Sequence, residues 1–181
     1  MKREMNTGYV DENLIIRMSA GDGAAFRELY EQTSSTVYGF ALSILKNTHD
    51  AEDVMHDAFI KAYTSAVTYK PMGKPLAWML TIVRNLCYTR MRTGGVCEDI
   101  SKYEDLVRSD DHGAVLDRIV LQEALSKLDF EERQIVVLHS LTGLKHREIA
   151  EILELPVGTV LSKYNRSIRK LKKQLEEKGG E

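Results

Sequence analysis

Residues 144–175, LKHREIAEILELPVGTVLSKYNRSIRKLKKQL, read as a short helix, a tight turn and a long basic helix. Ile149, Ala150, Ile152 and Leu153 give the first segment one apolar face, with polar residues between them. Glu154-Leu155-Pro156 interrupts the pattern. Proline is tolerated at the first position of a helix, where its missing N–H would go unpaired anyway, so Pro156 marks a new start. Val157, Val160, Leu161, Tyr164, Ile168, Leu171 and Leu175 then recur at helical spacing. From Thr159 to Lys173 there are six Lys or Arg and no Asp or Glu. A basic helix held by a short partner is the helix-turn-helix arrangement that enters a major groove. The plainer alternative is a helical hairpin with a solvated basic face. The wording REIAEIL…PVGTV is more specific than the charge.

The rest of the chain is also helical in pattern, with no convincing alternating strand. Helices are predicted over residues 11–20, ending at Gly21, and over 24–46, where Phe26, Leu29, Tyr30, Val37, Phe40, Ala41, Ile44 and Leu45 are apolar. A third runs over 50–67, with early acids that suit its dipole. Residues 68–74 hold both Pro and Gly among polar residues and are expected to form a loop. Pro75 opens a fourth helix, to residue 92, and Gly94-Gly95 ends it. Between Val96 and Gly113 the periodicity fails and acids concentrate. A second helical set follows over 114–128, then 130–141 after the capping residue Asp129, then the helix-turn-helix. The expectation is an all-α chain: one helical domain over 1–95, an acidic linker over 96–113 and a helix-turn-helix domain over 114–181.

Charge narrows the function. The 181 residues carry a net charge of −2, whereas a protein that grips DNA on its own carries a basic surplus, because phosphate neutralisation supplies most of the affinity. Here the surplus is local: residues 1–95 have 11 bases and 10 acids, 96–117 have 2 and 7, and 118–181 have 12 and 10. Such a chain is expected to bind DNA weakly alone and to need a larger partner. No run approaches the about 18 apolar residues of a membrane span, and MKREMNTGYVDENL has no apolar signal core, so a cytoplasmic location without membrane insertion is expected. Cys87 and Cys97 fit no metal-ligand spacing, and Cys87 falls in an apolar helical pattern. His49 and His56 are seven apart, whereas metal pairs on helices stand about three or four apart. With no phosphate-binding Gly loop and no nucleophile motif, no metal, cofactor or catalysis is expected.

Two further stretches, DAEDVMHDAFIKAY at 50–63 and PLAWMLTIVRNLCYTRMR at 75–92, precede REIAEIL…PVGTV. Together, in order and spacing, they resemble the two conserved blocks of the extracytoplasmic-function (group IV) sigma factors of the sigma-70 family, the promoter-recognition subunits of bacterial RNA polymerase. The resemblance covers residues 14–92 and 115–175. It implies core RNA polymerase and promoter DNA as partners, with nucleotide addition left to the polymerase. The family commonly has an anti-sigma protein gripping both domains, though no residue here specifies one.

The resemblance also implies sites. Asp50, Glu52, Asp53, His56 and Asp57, at the start of the third helix, match the block that docks on the coiled coil of the largest polymerase subunit. An acidic and apolar face suits a basic partner, although the plainer reading of any one carboxylate is a capped, solvated helix start. The loop bearing Tyr69, Lys70 and Lys74 matches the segment that captures a flipped base of the minus-ten element. Arg84, Asn85, Arg90 and Arg92 on the fourth helix are candidates for phosphate or base contacts there. For Trp78 a core position is the better reading. In the last helix, Thr159, Ser162, Lys163 and Arg166 are expected deepest in the minus-thirty-five major groove, with Arg169, Lys170, Lys172 and Lys173 nearer phosphates or water.

Five positions depart from the family's habit: His56 stands for a usual Gln, Thr89 for Asp, Leu161 for Lys or Arg, Ser167 for Ala, and Lys145 for a capping Ser. Loss of that cap costs about 1 kcal/mol. Two rival readings explain less. A stand-alone dimeric helix-turn-helix regulator leaves residues 50–92 without a role, and a sigma-like decoy that only sequesters a partner has no use for the basic run 163–173.

Overall fold

The computed structural model describes residues 10–93 and 123–178, all helix, turn or loop with no strand among them. Helix α1, Glu12–Ser19, starts where the Asp11 carboxylate accepts the Asn13 N–H at 2.9 Å. It buries Leu14, Ile15 and Met18. Helix α2, Gly23–Leu45, is capped by Asp22, which accepts from Ala24 and Ala25. It stops at Lys46, which takes the left-handed conformation (φ 54°).

Helix α3, Thr48–Ser65, begins two residues before Asp50, because the Asn47 side chain is the cap and accepts the Asp50 N–H at 3.0 Å. It tightens into a 3₁₀ turn, Ala66–Thr68. After the loop, helix α4 spans Pro75–Thr93.

In the C-terminal half, helix α5, Phe130–Thr142, opens on the expected Asp129. Asp129 accepts the Glu132 N–H at 2.7 Å while Glu132 accepts the Asp129 N–H at 3.3 Å, a reciprocal cap. Helix α6, His146–Leu153, and helix α7, Val157–Lys178, form the helix-turn-helix. Pro156 lies just before α7, and its carbonyl accepts the first helical N–H groups. Lys145 offers no side-chain acceptor to cap α6, but Glu148 reaches back to its N–H at 2.9 Å, so half of a capping box survives. The predicted linker over 96–113, Cys97 and most of the predicted helix 114–128 lie outside the described residues; positions 123–126 are helical, and Ala124 and Leu128 are buried.

Helices α1–α4 bundle around Leu29, Phe40, Val54, Phe59, Leu80 and Val83, while α5–α7 close over Ile135, Leu138, Ile149, Ile152 and Val160. These two groups are parts of one continuous apolar core, because α2 packs on α5 and α4 on α6. A two-domain reading of the sequence did not foresee that contact. Where α2 meets α5, Gly39 leaves room for Leu141, whose Cδ1 lies 3.0 Å from where a Cβ would stand.

Candidate nucleic-acid interface

The spacing of apolar residues in α7 fixes which polar ones face out. Val160 and Ser167 are fully buried, and Tyr164 packs edge-on against the rings of His139 and His146. Val157, Gly158, Leu161, Ser162, Asn165, Arg166 and Arg169 are therefore exposed, one stripe along the first turns of the helix. Thr159 is half-buried beside it.

Lys163 and Lys170 turn the other way. The Lys163 ammonium lies 3.4 Å from Asp129 and 3.2 Å from Glu131, and Lys170 lies 2.6 Å from Glu132, a fully buried carboxylate. Partial burial works against the Lys163 charge, but Glu131 and Asp129 outweigh it and raise its pKa. Both lysines clamp α7 to the start of α5. Asn165 is an exposed residue on that stripe that the sequence reading passed over, although its place between Leu161 and Ser162 on the helical wheel would have revealed it. The departures at Ser167 and Leu161 resolve differently. Ser167 donates to the Lys163 carbonyl at 2.8 Å, so its buried hydroxyl is satisfied, whereas Leu161 stands exposed on the outward stripe.

The loop of residues 69–74 is organised by a residue with no local signal in the sequence. One carboxylate oxygen of Glu12, in α1, accepts the Tyr69 hydroxyl at 2.6 Å and the Met72 and Gly73 N–H groups at 2.8 Å each. The Tyr69 hydroxyl bond and the Gly73 N–H hold the Glu12 pKa below its ordinary value, while burial and Glu12 raise that of Tyr69. Gly73 turns the chain at φ +69°. Tyr69 lies against Trp78 with ring centroids 4.9 Å apart, so Trp78 is half-buried on the core as expected. Lys70 is exposed, and Lys74 donates to both Glu151 oxygens at 2.9 and 3.2 Å.

Along α4, Asn85 and Arg92 are exposed, and Thr89 bonds back to the Asn85 carbonyl at 2.9 Å. Arg84 is buried: it lies over the Tyr88 ring and donates to Glu154 at 2.8 Å. Arg90 bridges to α3, donating to Asp50 at 2.7 and 3.0 Å and to Asp53 at 2.9 Å.

Two of the five candidate docking residues, Asp50 and Asp53, are thus tied to Arg90. Glu52, His56 and Asp57 are exposed. The same face continues through Ile60 and Tyr63 of α3 into Val67 of the 3₁₀ turn, which are 63%, 43% and 71% exposed. Glu52, His56, Ile60, Tyr63 and Val67 form one stripe, acidic at its start and apolar beyond.

No helix among the described residues is long and apolar enough to cross a membrane, and none of their His, Cys, Asp or Glu groups forms a metal-binding cluster. Cys87 is buried, which pushes its thiol up to about 12 and leaves it inert.

The sigma-70 region 2 family model matches residues 29–95, and the sigma-70 region 4 family model matches residues 118–171. The chain is 29% identical to the ECF RNA polymerase sigma factor SigW of Bacillus subtilis, with 90% of this chain and 95% of that protein aligned. It is 33% identical to the ECF RNA polymerase sigma factor SigE of Mycolicibacterium smegmatis, with 90% and 67% aligned. Among solved structures it is similar to the sigma factor RpoE of Bartonella quintana, crystallised with the anti-sigma factor NepR: TM-score 0.69, 25% identity, 83% of this chain and 96% of that one covered. The fold also matches CnrH in complex with the cytosolic domain of CnrY, at TM-score 0.68 and 24% identity over 92% and 97% of the chains. Two region matches in order, spanning the helices that carry both surfaces, and relatives aligned over nearly the whole chain place it in one family: it belongs to the extracytoplasmic-function RNA polymerase sigma factors of the sigma-70 family.

Proposed function

We propose that this chain directs promoter-specific initiation by docking core RNA polymerase on the outward stripe of α3 and presenting two DNA-reading surfaces. Glu52, His56 and Asp57, followed by Ile60, Tyr63 and Val67, meet the polymerase; Asp50 and Asp53 act behind them by orienting Arg90. Tyr69, Lys70 and Lys74 of the loop, with Arg84, Asn85, Arg90 and Arg92 of α4, serve the minus-ten element. Thr159, Ser162 and Arg166, joined by Asn165, read the minus-thirty-five groove, and Arg169 meets its phosphates. Lys163 and Lys170 support α7 from behind. The unit boundaries at 1–95, 96–113 and 114–181 belong to this reading, as do a cytoplasmic site of action and the absence of catalysis by the chain itself. An anti-sigma protein is a further partner, on the analogy of RpoE with NepR.

One observation carries the proposal: the exposed stripe of α7 holds polar and basic residues on its first turns, where a recognition helix presents its base-reading side chains. The test is in-vitro transcription by core polymerase on a random promoter library, with and without the chain. Transcripts from a shared pair of upstream motifs, made only with the chain present, are expected. Equal transcription without it would overturn the assignment.

A further inference from the structure

We infer that Leu161, with Val157 beside it on the outward stripe of α7, reads the 5-methyl group of a thymine in the minus-thirty-five element. This deepens the groove-reading role given above to α7 and rests on it. Among the base edges of a major groove only thymine offers a projecting apolar group; the rest of the pattern is hydrogen-bond donors and acceptors. A leucine placed there gains contact against that methyl. Against cytosine or adenine it would strip water from an amino group without replacing the lost bond.

Val157 and Leu161 are 40% and 42% exposed, stand one helical turn apart on the same side of α7, and belong neither to the apolar core nor to the residues packed against it. Their side of the helix adjoins Asn165 and Ser162, polar residues assigned above to the groove. A single exposed apolar residue is ordinary and means nothing by itself. Here two stand together on the first turns of the helix, where a recognition helix presents its side chains to bases. Gly158 lies between them with ordinary helical backbone, and a Cβ there would meet nothing within 4 Å beyond its own helix among the described residues. Packing within these residues therefore does not call for a glycine at that point. The missing side chain lets an outside surface approach the backbone beside Leu161.

Farther along the same edge Ile168 and Leu175 are exposed as well, but they line a groove with Leu171 and Lys172 that takes in neither Val157 nor Leu161. Leu161 stands about 10 Å along the axis from Ile168, at about 1.5 Å per residue. The start of the edge is therefore a separate surface. Arg166 and Arg169 supply the positive charge of the stripe, so Leu161 adds nothing to phosphate attraction. What it contributes in the groove depends on the base it meets.

The experiment uses the full chain with core polymerase and the promoter duplex that this holoenzyme enriches most from the random library. Each thymine of the upstream element, on either strand, is replaced in turn by deoxyuridine, which removes only the 5-methyl group. At one position or two the wild type is expected to bind roughly fourfold more weakly, the effect of one buried methyl. Leu161→Gln keeps a side chain of similar length and drops its apolar end, and it should reduce that ratio. With Val157→Ser added, the ratio should fall to one. Any change in DNA stiffness from the missing methyl acts on all three proteins alike and cancels in the comparison. An upstream element without thymine, no methyl effect at any position in the wild type, or an effect undiminished in the double variant would each overturn the inference. Chain-dependent transcription is measured on the same template. If the wild type supports it and the methyl effect is absent, only this inference falls; if the wild type does not support it, the functional reading falls as well.

Discussion

Glu12 gathers the Tyr69 hydroxyl and two loop N–H groups on one oxygen, 57 residues or more away in sequence. Nothing local predicts this, because a carboxylate at the start of α1 looks like an ordinary dipole partner. Glu12→Ala should leave the bundle folded while the Met72 and Gly73 amides exchange faster by hydrogen-exchange NMR. The Glu12 pKa is depressed in the fold, so its contribution is present above the ordinary glutamate value of about 4.3 and is lost as pH falls through the folded value. Protection of those two amides should fall over the same acid range in the wild type and show no such step in Glu12→Ala. His146 behaves similarly in a higher range. It is stacked on His139 with ring centroids 5.0 Å apart, and burial first, then His139, lowers its pKa. Its Nε2 is buried with no partner. The unfolded chain takes up this proton more readily, so the helix-turn-helix should lose stability as pH falls below about 6.5. Thermal melts at pH 7.5 and 5.5 test this, and His146→Phe should narrow the difference.

Helix α7 separates residues that sequence grouped together. Six basic residues in one stretch are visible in any reading, and the inward-facing repeat Val160, Tyr164, Ser167 and Leu171 then decides which of them face the solvent. Arg166 lies on the exposed stripe, so Arg166→Ala should weaken recognition of the upstream element by about 1–3 kcal/mol and leave the melting temperature unchanged. Lys163→Ala should do the reverse. It removes the link to Asp129 and Glu131, costing roughly 0.5–1 kcal/mol of stability for a pair in partly solvated surroundings, and leaves promoter preference intact. Promoter profiling and melting of both variants distinguish the two roles. In α3 the same logic chooses the better docking test. Reversing Asp53 would also break the bridge to Arg90, so lost binding would be ambiguous. Glu52→Lys with Asp57→Lys touches only exposed carboxylates, and like charges brought together across the interface cost several kcal/mol. A folded double variant with wild-type affinity for core polymerase would move the docking surface to the apolar end of α3 or elsewhere.

For the whole molecule, the shared core predicts coupled unfolding. With α2 on α5 and α4 on α6, the wild type should melt in one calorimetric transition. A variant carrying Leu141→Lys, which disrupts the seam over Gly39, with Glu151→Gln and Glu154→Gln, which weaken the links to Lys74 and Arg84, should show two. The helices themselves were legible beforehand because their causes are local: Asp11, Asp22 and Asp129 accept the orphan N–H groups, Pro75 opens α4, and apolar residues recur every three or four positions. The order of the two sigma blocks was legible for the same reason, being a matter of side-chain type along one strand of text. What the chain does with its charges was not. Whether Lys163 faces DNA or Glu131, whether Arg84 meets a phosphate or Glu154, and whether Glu12 caps α1 or fastens a loop depend on partners 32 to 70 residues away. A period of 3.6 residues assigns a side chain to a face, but only the packing of one helix on another determines what that face meets.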